Sequence, residues 1–154
     1  MRDAVTAYVG LGANLGDSAA TLQQARQALD QLPGTTLIRC SAQYRSAPVD
    51  SSGPDYLNAV AELSTRLSAP ELLVELQRLE GAAGRERPYR NAPRTLDLDL
   101  LLYGDARVDS ATLVLPHPRM WQRAFVVLPL AELAPALVPV QILRSVSAQR
   151  VSRL

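Results

Sequence analysis

Residues 94–103 read RTLDLDLLLY, and this run limits the possible folds more than any other segment because it alternates apolar and acidic side chains. Successive side chains of a β-strand point to opposite faces, so Asp97 and Asp99 share one face of a strand. Leu96, Leu98 and Leu100 share the other face. We expect the leucine face to lie in the core and the aspartate face to lie outside it.

The two aspartates resist burial on their own. Ionised carboxylates about 7 Å apart along a strand repel each other, so they need a cation or solvent beside them. Mg²⁺ prefers oxygen ligands and is often held by one or two carboxylates together with substrate phosphates. A solvated acidic strand face without function is the alternative, and Asp97 and Asp99 alone do not exclude it.

Hydrophobic periodicity and turn signals elsewhere predict an α+β fold. The order is strand, helix, strand, strand, helix, strand, which is the split βαβ pattern of a ferredoxin-like sandwich, an antiparallel sheet with helices packed on it. Its segments are strand 4–11, helix 18–32, strands 35–44 and 56–67, a helix beginning at the capping box of residues 68–71, and the strand containing Asp97. In the second strand we expect Ile38, Cys40 and Ala42 on the buried face.

Composition excludes several classes of function. A chain of 154 residues with 47% hydrophobic content is expected to form a single domain over residues 1–154. A net charge of +1 argues against nucleic acid as the main partner. There is no signal-peptide pattern and no apolar run long enough to span a membrane, so a cytoplasmic protein without a membrane partner is expected. All sixteen basic residues are arginine, which excludes a Walker-type phosphate loop and Schiff-base chemistry.

Four arginines, Arg85, Arg87, Arg90 and Arg94, lie within ten residues directly before the acidic pair. Guanidinium groups bind phosphate oxygens in pairs of hydrogen bonds and stay charged at any working pH. ATP⁴⁻ with two aspartates and two Mg²⁺ ions carries a net charge of −2, which two arginines would neutralise. The combination indicates metal-assisted phosphoryl transfer by positioning and electrostatics.

The glycine-rich run GLGANLG at residues 10–16 lies between the first strand and the first helix. Its spacing differs from the dinucleotide fingerprint G-x-G-x-x-G, and the following helix leads to a hairpin rather than to a parallel strand. We therefore expect a tight turn that brings backbone close to a ligand.

Four blocks of this chain together resemble the 6-hydroxymethyl-7,8-dihydropterin pyrophosphokinase family of folate biosynthesis. The blocks are GANLGD at residues 12–17, PDYLNA at 54–59, PRTLDLD at 93–99 and PHPRM at 116–120. They follow the family's order at about its spacing, over about residues 5–137. The resemblance implies the same ferredoxin-like fold and a transfer of pyrophosphate from ATP to the pterin hydroxymethyl group, with release of AMP.

The resemblance also implies roles for individual residues. Asp97 and Asp99 would hold two Mg²⁺ ions, and with Arg85 and Arg94 they would form the catalytic set. The residues implied in ATP binding are Glu80, Arg85, Arg87, Arg94, Leu100, His117 and Arg123. The residues implied in pterin binding are Gly12, Ser46, Ala47, Val49, Tyr56, Asn58, Asp97 and Phe125, of which Tyr56 and Phe125 would stack on the ring or pack round it. A structural role for His117, and ordinary core packing for the two aromatics, are the alternatives.

The chain departs from the family before the acidic strand, where Asn91-Ala92 replaces an aromatic and a glycine in a loop about one residue short. That aromatic helps to close the loop over bound substrates, so altered turnover or substrate affinity is expected. Two other readings stay open: a family member without activity, and a ferredoxin-like module that binds a ligand or RNA. We expect a monomer with ATP and the pterin as its partners.

Overall fold

The alternation seen in the sequence forms an antiparallel sheet with helices on both faces. The structure, a computed structural model, describes residues 2–14, 16–47, 54–83 and 96–154. Within these ranges the strands are β1 (Val5–Ala13), β2 (Thr35–Cys40), β3 (Tyr44–Ser46), β4 (Tyr56–Thr65), β5 (Asp97–Tyr103), β6 (Val108–Asp109), β7 (Val114–Leu115) and β8 (Val151–Arg153). The helices are α1 (Ser18–Asp30), α2 (Ala69–Ala82), α3 (Ala124–Leu133) and α4 (Val140–Ser145).

The main sheet has the order β5-β1-β4-β3-β8 in the described residues, with β2 paired to the same edge of β4 as β3. All these pairs are antiparallel. The element order β1-α1-β2-β4-α2-β5, interrupted only by the short β3, confirms the predicted split βαβ fold. The capping box is also confirmed, since Ser68 Oγ accepts from the N–H of Glu71 and Glu71 Oε1 accepts from the N–H of Ser68.

One face of the sheet is apolar along its whole length. Val9 and Leu11 of β1, Leu63 of β4 and Leu98 of β5 are buried there in one cluster with the inner sides of α1 and α2. The leucine face of β5 therefore lies in the core, as predicted. This cluster occupies every second position of the central strands.

The opposite face changes character along the strands. At one end Tyr8, Val60 and Leu101 are buried beneath α3. At the other end the same face of the same strands holds Gly12 and Asn58, which lie opposite each other in the β1–β4 pairing. Asp97 of β5 lies opposite Gly12 on the other side. Polar groups and glycine thus replace apolar side chains at the end of the face beyond α3.

The prediction for the second strand is wrong in two respects. Residues 35–44 form β2 only as far as Cys40, and β3 begins separately at Tyr44. Ile38 is 50% exposed rather than buried, because it shares the outer face of β2 with the exposed Thr36 while Leu37 points to the core. The pairing register then shifts between Leu37 and Arg39, and a one-residue shift moves the following residue, Cys40, to the core side.

In the ranges described, no helix combines the length and apolar character that crossing a membrane requires.

Candidate active site

The centre of the site is a space above Gly12 in β1. A Cβ atom at this position would lie 3.4 Å from Asn58 Oδ1, 3.8 Å from Tyr56 Cδ1 and 4.0 Å from Asp97 Cβ. An amide oxygen, an aromatic ring and a carboxylate-bearing side chain therefore converge where glycine carries no side chain. We call this space the Gly12 cradle. It unites four residues that the sequence resemblance placed at the pterin site.

Ser46 of β3 lies beside the Gly12 cradle through its contact with Asn58. Ser46 is buried, and its Oγ accepts a hydrogen bond of 2.8 Å from Asn58 Nδ2. Ala47 follows at the end of the strand and is exposed. The predicted pterin residue Val49 lies outside the described residues.

Asp97 and Asp99 lie half-buried on the face of β5 that carries the cradle. Their partners across β1 are Gly12 and Gly10, so glycine stands beside each carboxylate-bearing residue. Carboxylate oxygens are the ligands that Mg²⁺ prefers, and the pair fits that cation in number and chemistry. No cluster of three or more His, Cys, Asp or Glu side chains suited to a metal occurs in residues 2–14, 16–47, 54–83 and 96–154.

Glu80 reaches β5 from the last turn of α2. It is buried, and its Oε2 accepts a hydrogen bond of 2.9 Å from the backbone N–H of Leu98. Leu98 is the residue between the two aspartates. The structure thus places the Glu80 carboxylate against the backbone of the acidic strand, and its role in ATP binding stays a prediction.

A cavity of about 270 Å³ opens beside Asp99. Asp99, Leu100 and His117 line it, so three predicted residues meet there. Its other walls were missed by sequence reasoning: they are Leu73, Leu98, Ser110, Ala111, Thr112, Leu113, Val114 and Pro118.

Part of the cavity wall that was not predicted from the sequence is a turn closed by hydrogen bonds of Ser110. The N–H of Ser110 donates to the carbonyl of Leu113 at 3.0 Å, and the N–H of Leu113 donates to Ser110 Oγ at 3.1 Å. The small polar residues of this segment indicate a turn from sequence alone. Nothing local indicates that the turn faces Asp99, since that placement depends on β7 returning alongside β5.

His117 is held at the cavity by its own backbone, whose N–H donates to the carbonyl of Leu101 at 3.0 Å. Its Nδ1 accepts from the N–H of Arg119 at 3.3 Å. Burial lowers the pKa of His117, the nearby Asp99 carboxylate opposes this, and Arg123 and Arg119 lower it further. A neutral ring with Nδ1 as acceptor carries its proton on Nε2, so His117 presents a donor.

Arg123 and Phe125 lie at the start of α3. The guanidinium carbon of Arg123 is 5.5 Å from the centroid of the Phe125 ring, within cation–π range. Gln149 holds this helix end: its Oε1 accepts from the N–H of Ala124 at 2.9 Å, and its Nε2 donates to the carbonyl of Gln122 at 2.8 Å. The segment after α4 therefore fixes the position of Arg123.

The predicted arginines Arg85, Arg87 and Arg94 lie outside the described residues, as does the Asn91-Ala92 departure. Their roles stay predictions.

The sequence is similar to that of a known protein family over most of its length. Residues 8–135 match the model of the family described as 7,8-dihydro-6-hydroxymethylpterin-pyrophosphokinase (HPPK). The 2-amino-4-hydroxy-6-hydroxymethyldihydropteridine pyrophosphokinase of Haemophilus influenzae is 46% identical over 135 residues, covering 87% of this chain and 84% of that protein. The protein of the same name from Pseudomonas aeruginosa is 45% identical, covering 84% of this chain and 81% of its own length.

Solved structures agree on the fold. The crystal structure of wild-type Plasmodium falciparum HPPK-DHPS superposes with a TM-score of 0.64 at 13% identity, over 86% of this chain and 38% of that one. A variant of that protein gives a TM-score of 0.70 at 13% identity, over 88% and 43%. This chain thus spans about two fifths of those longer proteins. The match of the family model to most of the chain, with relatives near 45% identity, shows that this chain belongs to the HPPK family of pyrophosphokinases.

Proposed function

We propose that this protein transfers pyrophosphate from ATP to the hydroxymethyl group of 6-hydroxymethyl-7,8-dihydropterin, releasing AMP, as a step of folate biosynthesis. The observation that carries the proposal is the Gly12 cradle: an amide oxygen, an aromatic ring and the Asp97 side chain surround a gap on one strand. A flat heteroaromatic ring with polar edges fits those groups. Membership of the HPPK family supports the same substrate pair.

The cavity beside Asp99 supports a site for ATP next to the cradle. Apolar walls such as Leu100 suit a flat base, while the turn closed by Ser110 supplies polar backbone at the rim. In this arrangement the base occupies the cavity and the phosphates run past Asp99 toward Asp97. His117 donates its Nε2 proton at the same rim, and Arg123 adds positive charge close to it.

Asp97 and Asp99 are the residues that would hold magnesium, with two ions as the proposed number. Bound Mg²⁺ supplies Lewis-acid stabilisation of the phosphate charge and lowers the pKa of a coordinated hydroxyl. The chain's own contribution is to hold two carboxylates at fixed spacing on a strand. Arg85 and Arg94 are proposed to neutralise the remaining phosphate charge, with Arg87 and Glu80 as further ATP contacts.

The pterin ring is proposed to lie on the Gly12 cradle, between Tyr56 and the Phe125 side of α3. Asn58 would bond the ring edge, and the backbone near Ser46, Ala47 and Val49 would complete the contact. Gly12 carries no side chain, so the ring has room to approach the β1 backbone closely. This position brings the hydroxymethyl group toward the Asp97 carboxylate.

An assay of AMP formation tests the proposal. Wild-type protein is mixed with ATP, Mg²⁺ and the dihydropterin, and AMP is followed with and without the pterin. We expect AMP to form only with both substrates and the metal. If the rate of AMP formation is the same without pterin, the proposal is wrong. The two other readings, a family member without activity and a ligand-binding module, are then favoured. A gel shift with mixed RNA separates the latter, and we expect none.

Domain organisation, assembly and location belong to the same proposal. The described residues form a six-stranded sheet with helices on both faces and a two-stranded sheet of β6 and β7, which supports a single domain over residues 1–154. A monomer in the cytoplasm, with no membrane or nucleic-acid partner, is the assembly proposed. Light scattering of the purified protein measures the oligomeric state directly.

A further inference from the structure

The side chain of Asn58 is held in one orientation by two protein acceptors. Its Nδ2 donates to Ser46 Oγ at 2.8 Å and to the backbone carbonyl of Tyr44 at 3.4 Å. A carbonyl oxygen only accepts, so the atom that faces Tyr44 must be the NH₂ group. Both hydrogens of that group are then used. The flipped amide would place two carbonyl oxygens against each other.

The oxygen of the same amide faces the opposite way. Asn58 Oδ1 is the nearest atom to the position of a Cβ at Gly12, at 3.4 Å. Asn58 itself is only 4% exposed. In the part of the chain that the structure describes, no donor group forms a hydrogen bond with this oxygen. The Gly12 cradle therefore presents a fixed hydrogen-bond acceptor.

We infer that the Ser46 hydroxyl is a positioning residue that sets the specificity of the cradle for a ring edge bearing N–H groups. It acts through Asn58: by accepting one amide hydrogen, Ser46 keeps Oδ1 toward the ligand. The inference rests on the proposed function and deepens it, since it assigns a role to a side chain that otherwise contributes backbone contacts. The chemical class selected is a heteroaromatic ring with an amino or ring N–H at that edge.

Burial makes this orientation matter. Asn58 and Ser46 are both buried, at 4% and 6% exposure, so a rotated amide would bury its NH₂ against the donor edge of the ring. Two donors facing each other lose a hydrogen bond and leave both groups unsatisfied, which is more costly than a missing bond to water. Ligand binding is therefore expected to depend on Ser46 although Ser46 Oγ does not touch the ring.

The test compares Ser46→Ala, Ser46→Thr and the control Ser41→Ala. Ser41 is a matched control because it is also buried and its Oγ accepts from a β4 backbone N–H, that of Val60, at 3.0 Å. For Ser46→Ala we expect the KM for the dihydropterin to rise roughly five- to tenfold, the scale of one hydrogen bond. We expect kcat and the KM for ATP to stay within about twofold. Threonine keeps the hydroxyl and should restore the KM, and Ser41→Ala should leave it unchanged.

Hydrogen exchange of the Asn58 side-chain amide tests its hydrogen bonding directly. The side-chain NH₂ resonances of Asn58, identified by their absence in Asn58→Asp, should exchange slowly with solvent in wild type and in Ser46→Thr. They should exchange faster in Ser46→Ala. If Ser46→Ala keeps the wild-type KM for the dihydropterin, the inference is wrong, whatever its exchange rate. It is also wrong if Ser46→Ala lowers kcat and the urea midpoint while threonine fails to restore the KM.

These outcomes differ from failure of the proposed function. A wild-type protein that forms no AMP from ATP and the dihydropterin overturns the proposed function, and this inference with it. An active wild type whose pterin KM does not respond to Ser46→Ala overturns the inference alone.

Discussion

The Glu80 carboxylate accepts a hydrogen bond of 2.9 Å from the backbone N–H of Leu98, the residue between Asp97 and Asp99. Among the described residues, β5 is the last strand in the path of the main sheet, and none of them provides a strand partner for this N–H on that side. The bond satisfies a buried donor and ties the acidic strand to helix α2. A glutamate that sequence resemblance assigned to ATP thus also contacts the strand that carries the acidic pair.

Replacing Glu80 separates these two roles. Glu80→Ala leaves the Leu98 N–H buried without its acceptor, and we expect the free energy of unfolding to fall by about 1–3 kcal/mol. Glu80→Gln keeps an acceptor oxygen and should retain most of the stability. Urea unfolding measures both. Glu75→Ala on the same helix is the control, because its surface pair with Arg78 should contribute less than about 1 kcal/mol.

Enzyme kinetics of the same variants complete the comparison. If Glu80 acts through β5, Glu80→Gln keeps kcat and the KM for ATP while Glu80→Ala loses kcat. A KM for ATP that rises equally in both variants, with stability unchanged, would show that nucleotide contact alone is the role of Glu80.

Neutralising the acidic pair is expected to abolish turnover without unfolding the protein. Asp97→Asn and Asp99→Asn each remove a charge that would face magnesium, and we expect AMP formation to fall at least about a hundredfold. Asp105→Asn, at an exposed turn after β5, is the control and should keep the wild-type rate. Circular dichroism and urea midpoints check folding. Wild-type turnover in Asp97→Asn and Asp99→Asn would refute the metal assignment.

Filling the Gly12 cradle should affect the pterin and spare ATP. In Gly12→Ala the new methyl group lies 3.4 Å from Asn58 Oδ1 and occupies space proposed for the ring. We expect the KM for pterin to rise at least about tenfold, with stability unchanged or raised by about 0.5 kcal/mol because alanine restricts the unfolded chain. Gly10→Ala is the control: the three atoms nearest to its methyl group would all belong to the Leu101 side chain, the nearest at 3.6 Å. Equal effects of both variants on pterin would contradict the position of the cradle.

Nucleotide affinity should depend on magnesium. Without a cation, Asp97 and Asp99 repel the phosphates of ATP, so calorimetry with a non-hydrolysable analogue should show binding at least about tenfold weaker in EDTA than in Mg²⁺. In Asp97→Asn this dependence should shrink, because one repulsive charge is gone. Equal wild-type affinity in both buffers would refute the charge argument.

Alkaline pH should weaken the link between β3 and α3. The hydroxyl of Tyr44 donates to Glu132 Oε1 at 2.7 Å. Burial, followed by that bond and the charge of Glu132, raises the pKa of Tyr44 to about 12. A raised pKa means that the folded state holds the proton more tightly than the unfolded state. The resulting stabilisation is complete below pH 10 and is lost as the pH rises toward about 12.

Tyr44→Phe measures this contribution. The free energy of unfolding of wild type minus that of Tyr44→Phe should be constant between pH 7 and 9. It should then fall between pH 10 and 11 by about 1 kcal/mol, close to the limit of 1.4 kcal/mol per pH unit for one proton. Tyr8, whose pKa is also raised by burial, is present in both proteins, so its effect cancels. A difference that does not change with pH would contradict the assignment.

Much of the fold follows from local rules that the sequence displays. Alternation in Asp97–Tyr103 and Tyr56–Thr65 predicts strands because side-chain direction has a period of two, and the box at Ser68 predicts a helix start because it satisfies free N–H groups. The register shift beside Ile38 has no such local signal, since a bulge is set by the partner strand. β8 was missed for a similar reason: its three residues gain their structure only by pairing with β3.

Some features of the candidate site also follow from the sequence, and others depend on the tertiary structure. The sequence by itself determined that Asp97 and Asp99 share a polar strand face, because neighbouring carboxylates cannot enter an apolar core without a partner. Only the tertiary structure decided what surrounds them: the Gly12 gap, the oriented amide of Asn58, and the turn at Ser110 beside Asp99. These depend on contacts between residues from 11 positions apart, as for Asp99 and Ser110, to 85 positions apart, as for Gly12 and Asp97. Periodicity carries no information about which strands or turns meet. The residue types that carry the chemistry can be read from the sequence. The residues that surround them are decided by how the strands and turns pack.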